Sequence, residues 1–174
     1  IGSTKFRKLD LSIEELILNS VQEPLKDSKV SLDKIECVFV STALTGHTHN
    51  QEHLSSVVHG IIKKDIPIIR VESTCASGGA AFFNGFLSLS KYDHVLVIGV
   101  EKMSETPTEK LSEYIGTSSD RHYDQAEGFI FPVGGATLLS RYQARYGDIS
   151  HELALISLKN HQNANLNPYA HFYG

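Results

Sequence analysis

In the stretch VESTCASGGAAFFNG, Val71 to Gly85, a cysteine stands between an extended apolar run and a segment of small and aromatic residues with helical spacing. A thiolate is a strong nucleophile, and a helix beginning favours one. The first helical N–H groups have no intrahelical partner, and the helix dipole adds about half a positive charge there. Thiols at such turns, or beside a cationic histidine, ionise more readily than free ones. The same N–H groups can donate to an oxyanion, so Cys75 in this setting points to attack on a carbonyl or thioester, which is acyl transfer. The competing role is a small buried hydrophobe, the common use of an isolated cysteine. The segment alone leaves both open.

Other reactive side chains are less pointed. GHTHNQEH supplies His47, His49 and His53, with His59 beyond, and imidazole is a common metal ligand. The cluster lacks the Cys or His-Glu framework of common zinc motifs, so no metal is expected. Glu72 and Glu101 flank strand ends and form a conceivable acid/base pair, but nothing fixes their separation and structural roles are expected. The second cysteine, Cys37, falls in an apolar run. Neither cysteine belongs to a C-x-x-C pair, and two are too few for a secreted disulfide scaffold; both are expected reduced.

The elements that must position Cys75 can be read from periodicity. Ser12 and Glu15 have capping-box spacing, and Ile13, Leu16, Ile17 and Val21 share a helical face until Pro24 discourages further turns. Residues 35–41 (IECVFVS) read as a strand followed by a polar loop, and a second helix is expected from about Asn50 to Ile62. IPIIRVES, 66–73, is a further strand, with Pro67 suited to an edge. A helix from about Cys75 to Ser90 would span roughly 24 Å against roughly 26 Å for the strand before it, so one packs back along the other with Cys75 at the joint. Its Gly78, Gly79, Ala76, Ala80 and Ala81 permit close approach, while Phe82, Phe83, Phe86, Leu87 and Leu89 make it apolar nearly all round, which predicts central burial in the protein or an oligomer. HVLVIGV, 94–100, predicts a strand buried on both faces. GATLLSRY, 135–142, reads as another strand, and a last helix is expected from Ser150 with Leu153, Leu155, Ile156 and Leu158. The alternation predicts an α/β fold with a mostly parallel sheet and helices on both faces. It is interrupted by a long polar loop excursion over about 102–133 and ends in the Asn- and His-rich tail HQNANLNPYAHFYG. Ile1 and Gly2 read as the end of a strand begun earlier, so trimming at both ends is expected.

Composition narrows the function. With 174 residues, 41% hydrophobic and 21% charged, the chain has the material of one ordinary packed domain. A net charge of −4 without a basic run excludes phosphate neutralisation as a binding principle, so nucleic acid is not an expected partner. No apolar run reaches the roughly 20 residues of a membrane span and the start lacks a signal core, so no membrane role is expected and the chain reads as intracellular, hence cytoplasmic.

VESTCASGGAAFFNGFLSLSKYDHVLVIGVEKMSETPT closely resembles the nucleophile segment of the thiolase superfamily, in which a strand ends at the reactive cysteine, a central helix follows, and the next strand leads into V-E-K-M-S. IGSTKF, QEHLSSVVHG, SSDRHYDQAEGFIFP and KNHQNANLNPYAHF are similar to stretches of the sterol-carrier-protein type and archaeal thiolases, so the resemblance spans essentially the whole chain. It implies the thiolase N-terminal domain over residues 1–174. It also implies that Cys75 carries an acyl group as a thioester and that coenzyme A thioesters are substrates, with no resident cofactor. Met103 is implied as a substrate-pocket residue, with a packing methionine as the alternative; His122, Asn160 and His161 fall in segments resembling the family's loop regions, which implies a pocket role against that of exposed loop residues. A homodimer through Ile66–Ser73 and the following helix is implied as well.

The family's activating histidine in a G-H-P type motif and its second catalytic cysteine in a C-x-G motif belong to a second domain, and these residues contain neither. An acyltransferase that is incomplete without a C-terminal half or accessory protein is therefore expected. Its alternative is a noncatalytic half-subunit that binds acyl-CoA or acts as a scaffold. A ketoacyl or hydroxymethylglutaryl synthase shares the nucleophile turn but fits the EKMS and NHQNANLNP segments less well.

Overall fold

The computed structural model describes residues 1–174, which form two compact units. The first comprises Ile1–Thr4 with Leu9–Thr106, and the second Lys5–Lys8 with Pro107–Gly174.

The first unit is organised by β1 (Cys37–Ser41), every residue of which is buried. Such a strand needs apolar cover on both faces. On one face, Val38 and Val40, with Leu96 and Ile98 of β3 (Val95–Gly99), meet α1 (Ile13–Ser28) and α3 (Leu54–Ile62). On the other, Cys37 and Phe39 pack with Ala81 of α4 (Ser77–Ser88). β2 (Ile68–Val71) completes a parallel sheet of order β2-β1-β3, in register Val38↔Ile68 and Val38↔Leu96. The α/β class with helices on both faces is thus realised. The chain crosses from β1 to β2 by way of α3 and returns from β2 to β3 by way of α4 on the opposite face, an arrangement suited to right-handed crossovers.

The Ser12/Glu15 capping box forms, with reciprocal bonds of 3.2 and 2.7 Å. α1 nevertheless runs through Pro24 to Ser28, further than Pro24 suggests, and Gly2 lies against the Ser20 carbonyl and the Pro24 ring, where a side chain would not fit. The second helix starts at Leu54 rather than Asn50, because Asn50 adopts a positive φ of 51°; a one-turn helix, α2 (Thr45–Thr48), occupies the expected polar loop. Pro67 precedes the edge strand β2 and contributes only its carbonyl to the ladder, accepting from the Val38 N–H at 2.9 Å. β3 corrects its expectation: buried and half-buried residues alternate along it, as at a sheet edge with one face less covered.

Within this unit α4 buries one side only. Only Ser77, Ala81 and Gly85 are buried, a stripe of small residues at four-residue spacing laid on the sheet, whereas Phe82 is 69% and Phe86 64% exposed. Close seating against Phe39 and the β3 valines selects the small side of the helix, and the bulky side is left outward.

In the second unit, the expected excursion contains α5 (Thr108–Gly116) and a π-helical turn over Arg121–Gln125. The expected strand 135–142 is instead part of α6 (Phe131–Tyr146). A short apolar run does not separate strand from helix. Within 135–142 Thr137 is the sole β-branched residue; Leu138, Leu139, Arg141 and Ala144 are good helix formers, Pro132 suits the first turn, and Gly147 stops the helix at φ 90°. α7 (Ser150–Ala164) starts where expected, with Leu155, Ile156 and Leu158 exposed. Lys5–Lys8 joins this unit through Phe6, whose N–H donates to Tyr169 O at 2.9 Å.

A methyl group at Gly85 would lie 2.7 Å from Val97 Cγ2, while nothing stands within 4 Å of one at Gly79. Gly85→Ala is therefore expected to destabilise the chain by about 1–3 kcal/mol, and Gly79→Ala to be neutral or stabilising by up to about 1 kcal/mol. Urea unfolding curves of the two variants provide the comparison.

Candidate active site

The sheet delivers three connections to its carboxyl edge, where ligands of open α/β sheets bind, at the point where strand order reverses. That point lies between β1 and β3.

Cys75 follows β2 in a 3₁₀ turn, Thr74–Ala76, that leads directly into α4, and its side chain is exposed. Thr74 is in the left-handed region at φ 45°, a conformation costing on the order of 1 kcal/mol for a β-branched residue. The buried Ser77 hydroxyl holds the turn: it accepts from the Ser73 N–H at 2.9 Å and donates to Thr74 O at 2.7 Å. The Thr74 N–H donates to the Glu72 carboxylate, the Ala76 N–H to Ser73 O, and the Ser77 N–H to Thr74 O. Cys75 is left as the residue of this turn whose N–H has no intrachain acceptor, beside its own exposed sulfur. That combination can attack a carbonyl carbon and stabilise the oxygen that becomes negative.

Cys37 is the opposite case. It is 1% exposed among Phe39 and Ala81, and burial pushes its thiol above the usual range.

Met103 lies on the β3 exit, two strands from Cys75, in a turn closed by the Thr106 N–H donating to Met103 O at 3.1 Å. Glu101 ties the exits of β3 and β1 together: one of its carboxylate oxygens accepts from the Ala43 and Leu44 N–H groups at 2.8 and 3.1 Å and from the Thr42 hydroxyl at 3.1 Å. The structural roles expected of Glu72 and Glu101 are found, each carboxylate serving a turn. The particular partners of Glu101 depend on parallel pairing of β1 with β3, which local pattern does not give.

His122, Asn160 and His161 belong to the second unit and are exposed. His122 sits on the π-helical turn, its N–H held by Asp120 at 2.8 Å. Asn160 and His161 adjoin on α7, and His161 is engaged locally with Ser157 O at 2.8 Å and the Phe172 ring at 4.9 Å. Among the other histidines, His49 meets Thr48 and Glu105, His59 faces Asp65 at 3.5 Å, and His171 bonds Phe6 O. The histidine-rich stretch does not converge, and no group of three or more His, Cys, Asp or Glu is arranged to hold a metal. No helix is long and apolar enough to cross a membrane.

An exposed cysteine thus stands between a parallel edge strand and a helix that lays a stripe of small residues on the sheet of an α/β unit. The chain belongs to the thiolase family: the model of the thiolase N-terminal domain matches residues 1–173. It is 34% identical over 99% of its length to an acetyl-CoA acetyltransferase of Methanothermobacter thermautotrophicus, of which it covers 45%. It is 27% identical over its full length to the benzoylsuccinyl-CoA thiolase subunit BbsB of Thauera aromatica, covering 44% of it, and 27% identical over 99% to sterol carrier protein 2 of Gallus gallus, covering 33%. The chain thus spans less than half the length of these relatives. Among solved structures, 3-oxoacyl-[acyl-carrier-protein] synthase III from Aquifex aeolicus aligns at TM-score 0.47 and 22% identity, over 56% of this chain and 32% of that one.

Brief maleimide treatment of the native protein is expected to modify Cys75 and spare Cys37. In Cys75→Ser, modification should wait for denaturant, as peptide mapping by mass spectrometry will read.

Proposed function

We propose that this chain is the nucleophile-bearing half of a thiolase-type acyl-CoA C-acyltransferase. The observation that carries the reading is the turn at Cys75, where an exposed sulfur and an uncommitted N–H sit together. The Cys75 thiolate attacks the thioester carbonyl of an acyl-CoA, and a new C–S bond forms as the carbonyl electrons move to oxygen. The Cys75 N–H donates to that oxyanion. Collapse of the tetrahedral species breaks the bond to the coenzyme A sulfur, which leaves as thiolate and takes a proton, and the acyl group remains on Cys75. Transfer to the α-carbon of a second acyl-CoA, or to coenzyme A in the reverse direction, completes the reaction.

Proton removal from Cys75 and from the second substrate needs groups these residues do not bring to the turn. The relatives' greater length supports a C-terminal half, in the same polypeptide or as a partner, that supplies them. Met103 lines the acyl pocket in this reading, and His122, Asn160 and His161 are the substrate-binding candidates of the second unit. The unpaired edge of β2, with Ile69 exposed, and the outward phenylalanines of α4 support a homodimer through this strand and helix, since pairing would shield both an open edge and an apolar surface. A cytoplasmic setting fits two unpaired cysteines. The engagement of His49, His59, His161 and His171 with partners other than Cys75 favours one second reading, a noncatalytic subunit that binds acyl-CoA.

Incubation with acetyl-CoA, alone and with a complementary C-terminal half, followed by intact mass measurement, separates these readings. An acetyl adduct that vanishes in Cys75→Ser is expected. Absence of an adduct even with the second half present would sink the enzyme and leave the scaffold.

A further inference from the structure

Four residues other than glycine have positive φ. Lys29 and Lys63 do so as C-caps, where a left-handed residue ends a helix, and asparagine, found at position 50, enters that region more readily than most. Thr74 fits neither case. It is β-branched, stands where a helix is about to begin, and immediately precedes Cys75. A free threonine prefers the ordinary regions by roughly tenfold or more, so the surroundings hold this one at φ 45°.

Two side chains do so, one at each of its peptide groups. The Glu72 carboxylate accepts from the Thr74 N–H. The Thr74 carbonyl oxygen accepts twice from Ser77, from the hydroxyl at 2.7 Å and from the main-chain N–H. The Ser77 hydroxyl itself accepts from the Ser73 N–H at 2.9 Å, and an N–H can only donate, so the single hydroxyl proton is committed to Thr74. Ser77 is the one hydroxyl in the buried stripe of α4; Ala81 and Gly85 keep the spacing without the bond. A trans peptide unit is planar, and its C=O and N–H point in opposite directions. The unit joining Thr74 to Cys75 ends in the carbonyl that Ser77 grips and in the Cys75 N–H. Holding one end therefore aims the other, away from the first turn of α4 and toward the open side where it has no intrachain acceptor.

We propose that Ser77 is a positioning residue for attack at Cys75, aiming the Cys75 N–H at the oxygen that becomes negative when the neighbouring sulfur adds to a thioester. That oxygen rests on the acyl-transfer reading, whereas the aim of the N–H is a property of the turn. The aim has a chemical signature. Acylation of Cys75 builds an oxyanion that this N–H meets, alkylation builds none, and both start from the same thiolate. The ratio of the two rates cancels the thiolate fraction and the exposure of the sulfur, and keeps the oxyanion contact. A side chain that only stabilises the fold leaves this ratio where it was.

S-phenyl thioacetate is the acylating probe: its acetyl group passes to the Cys75 thiolate as thiophenolate leaves, and it needs no coenzyme A site. Iodoacetamide, which forms a C–S bond at its methylene as iodide leaves, is the reference. Both rates are read by intact mass, with Cys75→Ser as the blank. Loss of an oxyanion donor lowers rates on the order of 10²–10³-fold. Ser77→Ala keeps the main-chain bond to Thr74, so its acylation-to-alkylation ratio is expected to fall by about tenfold. Adding Thr74→Gly removes the drive to leave positive φ and is expected to return most of the ratio. Should Ser77→Ala not fold, Glu72→Ala takes its place, at an exposed position and with a several-fold fall expected. An unchanged ratio in the variant used, or one that Thr74→Gly does not restore, overturns the proposal. Failure of acetyl-CoA to leave an adduct with the complementary half present sinks the acyltransferase alone, because the phenyl thioester ratio still decides whether Ser77 aims the N–H.

Discussion

Full burial of β1 is the constraint from which the first unit follows. A strand sealed on both sides admits no polar face, so the chain must lay helices above and below it and must pair both of its edges. α1 and α3 cover the side of Val38 and Val40, α4 covers that of Cys37 and Phe39, and β2 and β3 take the two edges. Parallel pairing then forces every strand to end on the same side. Three strand exits meet there: Thr42–Leu44, the Cys75 turn, and Glu101 with the Met103 turn. The candidate site lies at that side because burying β1 in a parallel sheet brings all three exits there.

The same packing explains the asymmetry of α4. A helix that must approach a sheet at methyl distance presents Ser77, Ala81 and Gly85, and its large residues are pushed to the far side. Small residues also let the Ser77 hydroxyl reach back under the 3₁₀ turn, and that bond holds Thr74 at positive φ. The local strain and the tight helix packing are two parts of one device that presents Cys75 outward.

Much of this was legible in the residues. The capping box at Ser12, the apolar run of β1, the edge character signalled by Pro67 and the placement of Cys75 at a strand-to-helix joint all follow from local pattern, and local pattern is physically decisive there. The failures occurred where a local pattern has two solutions. GATLLSRY satisfies strand and helix alike, and α6 took the helix because its residues lose little side-chain freedom in one. The apolar circumference of α4 distinguishes neither its inward side nor what lies outside, and the unit itself buries one narrow stripe of it. Glu101 and the His49–Glu105 pair were invisible for another reason: their partners are 50 or more residues away and are brought near only by strand order.

Two carboxylates stand at opposite ends of the β1/β3 ladder. Glu36 accepts from the Asp93 and His94 N–H groups where β3 begins, and Glu101 accepts from Ala43 and Leu44 where β1 has ended. Sliding one strand past the other by a single residue would break both sets of bonds and turn Val38 and Val40 out of their cover. Side chains thus gauge the alignment of two segments far apart along the polypeptide, so a misaligned collapse is penalised at both ends before any ligand arrives.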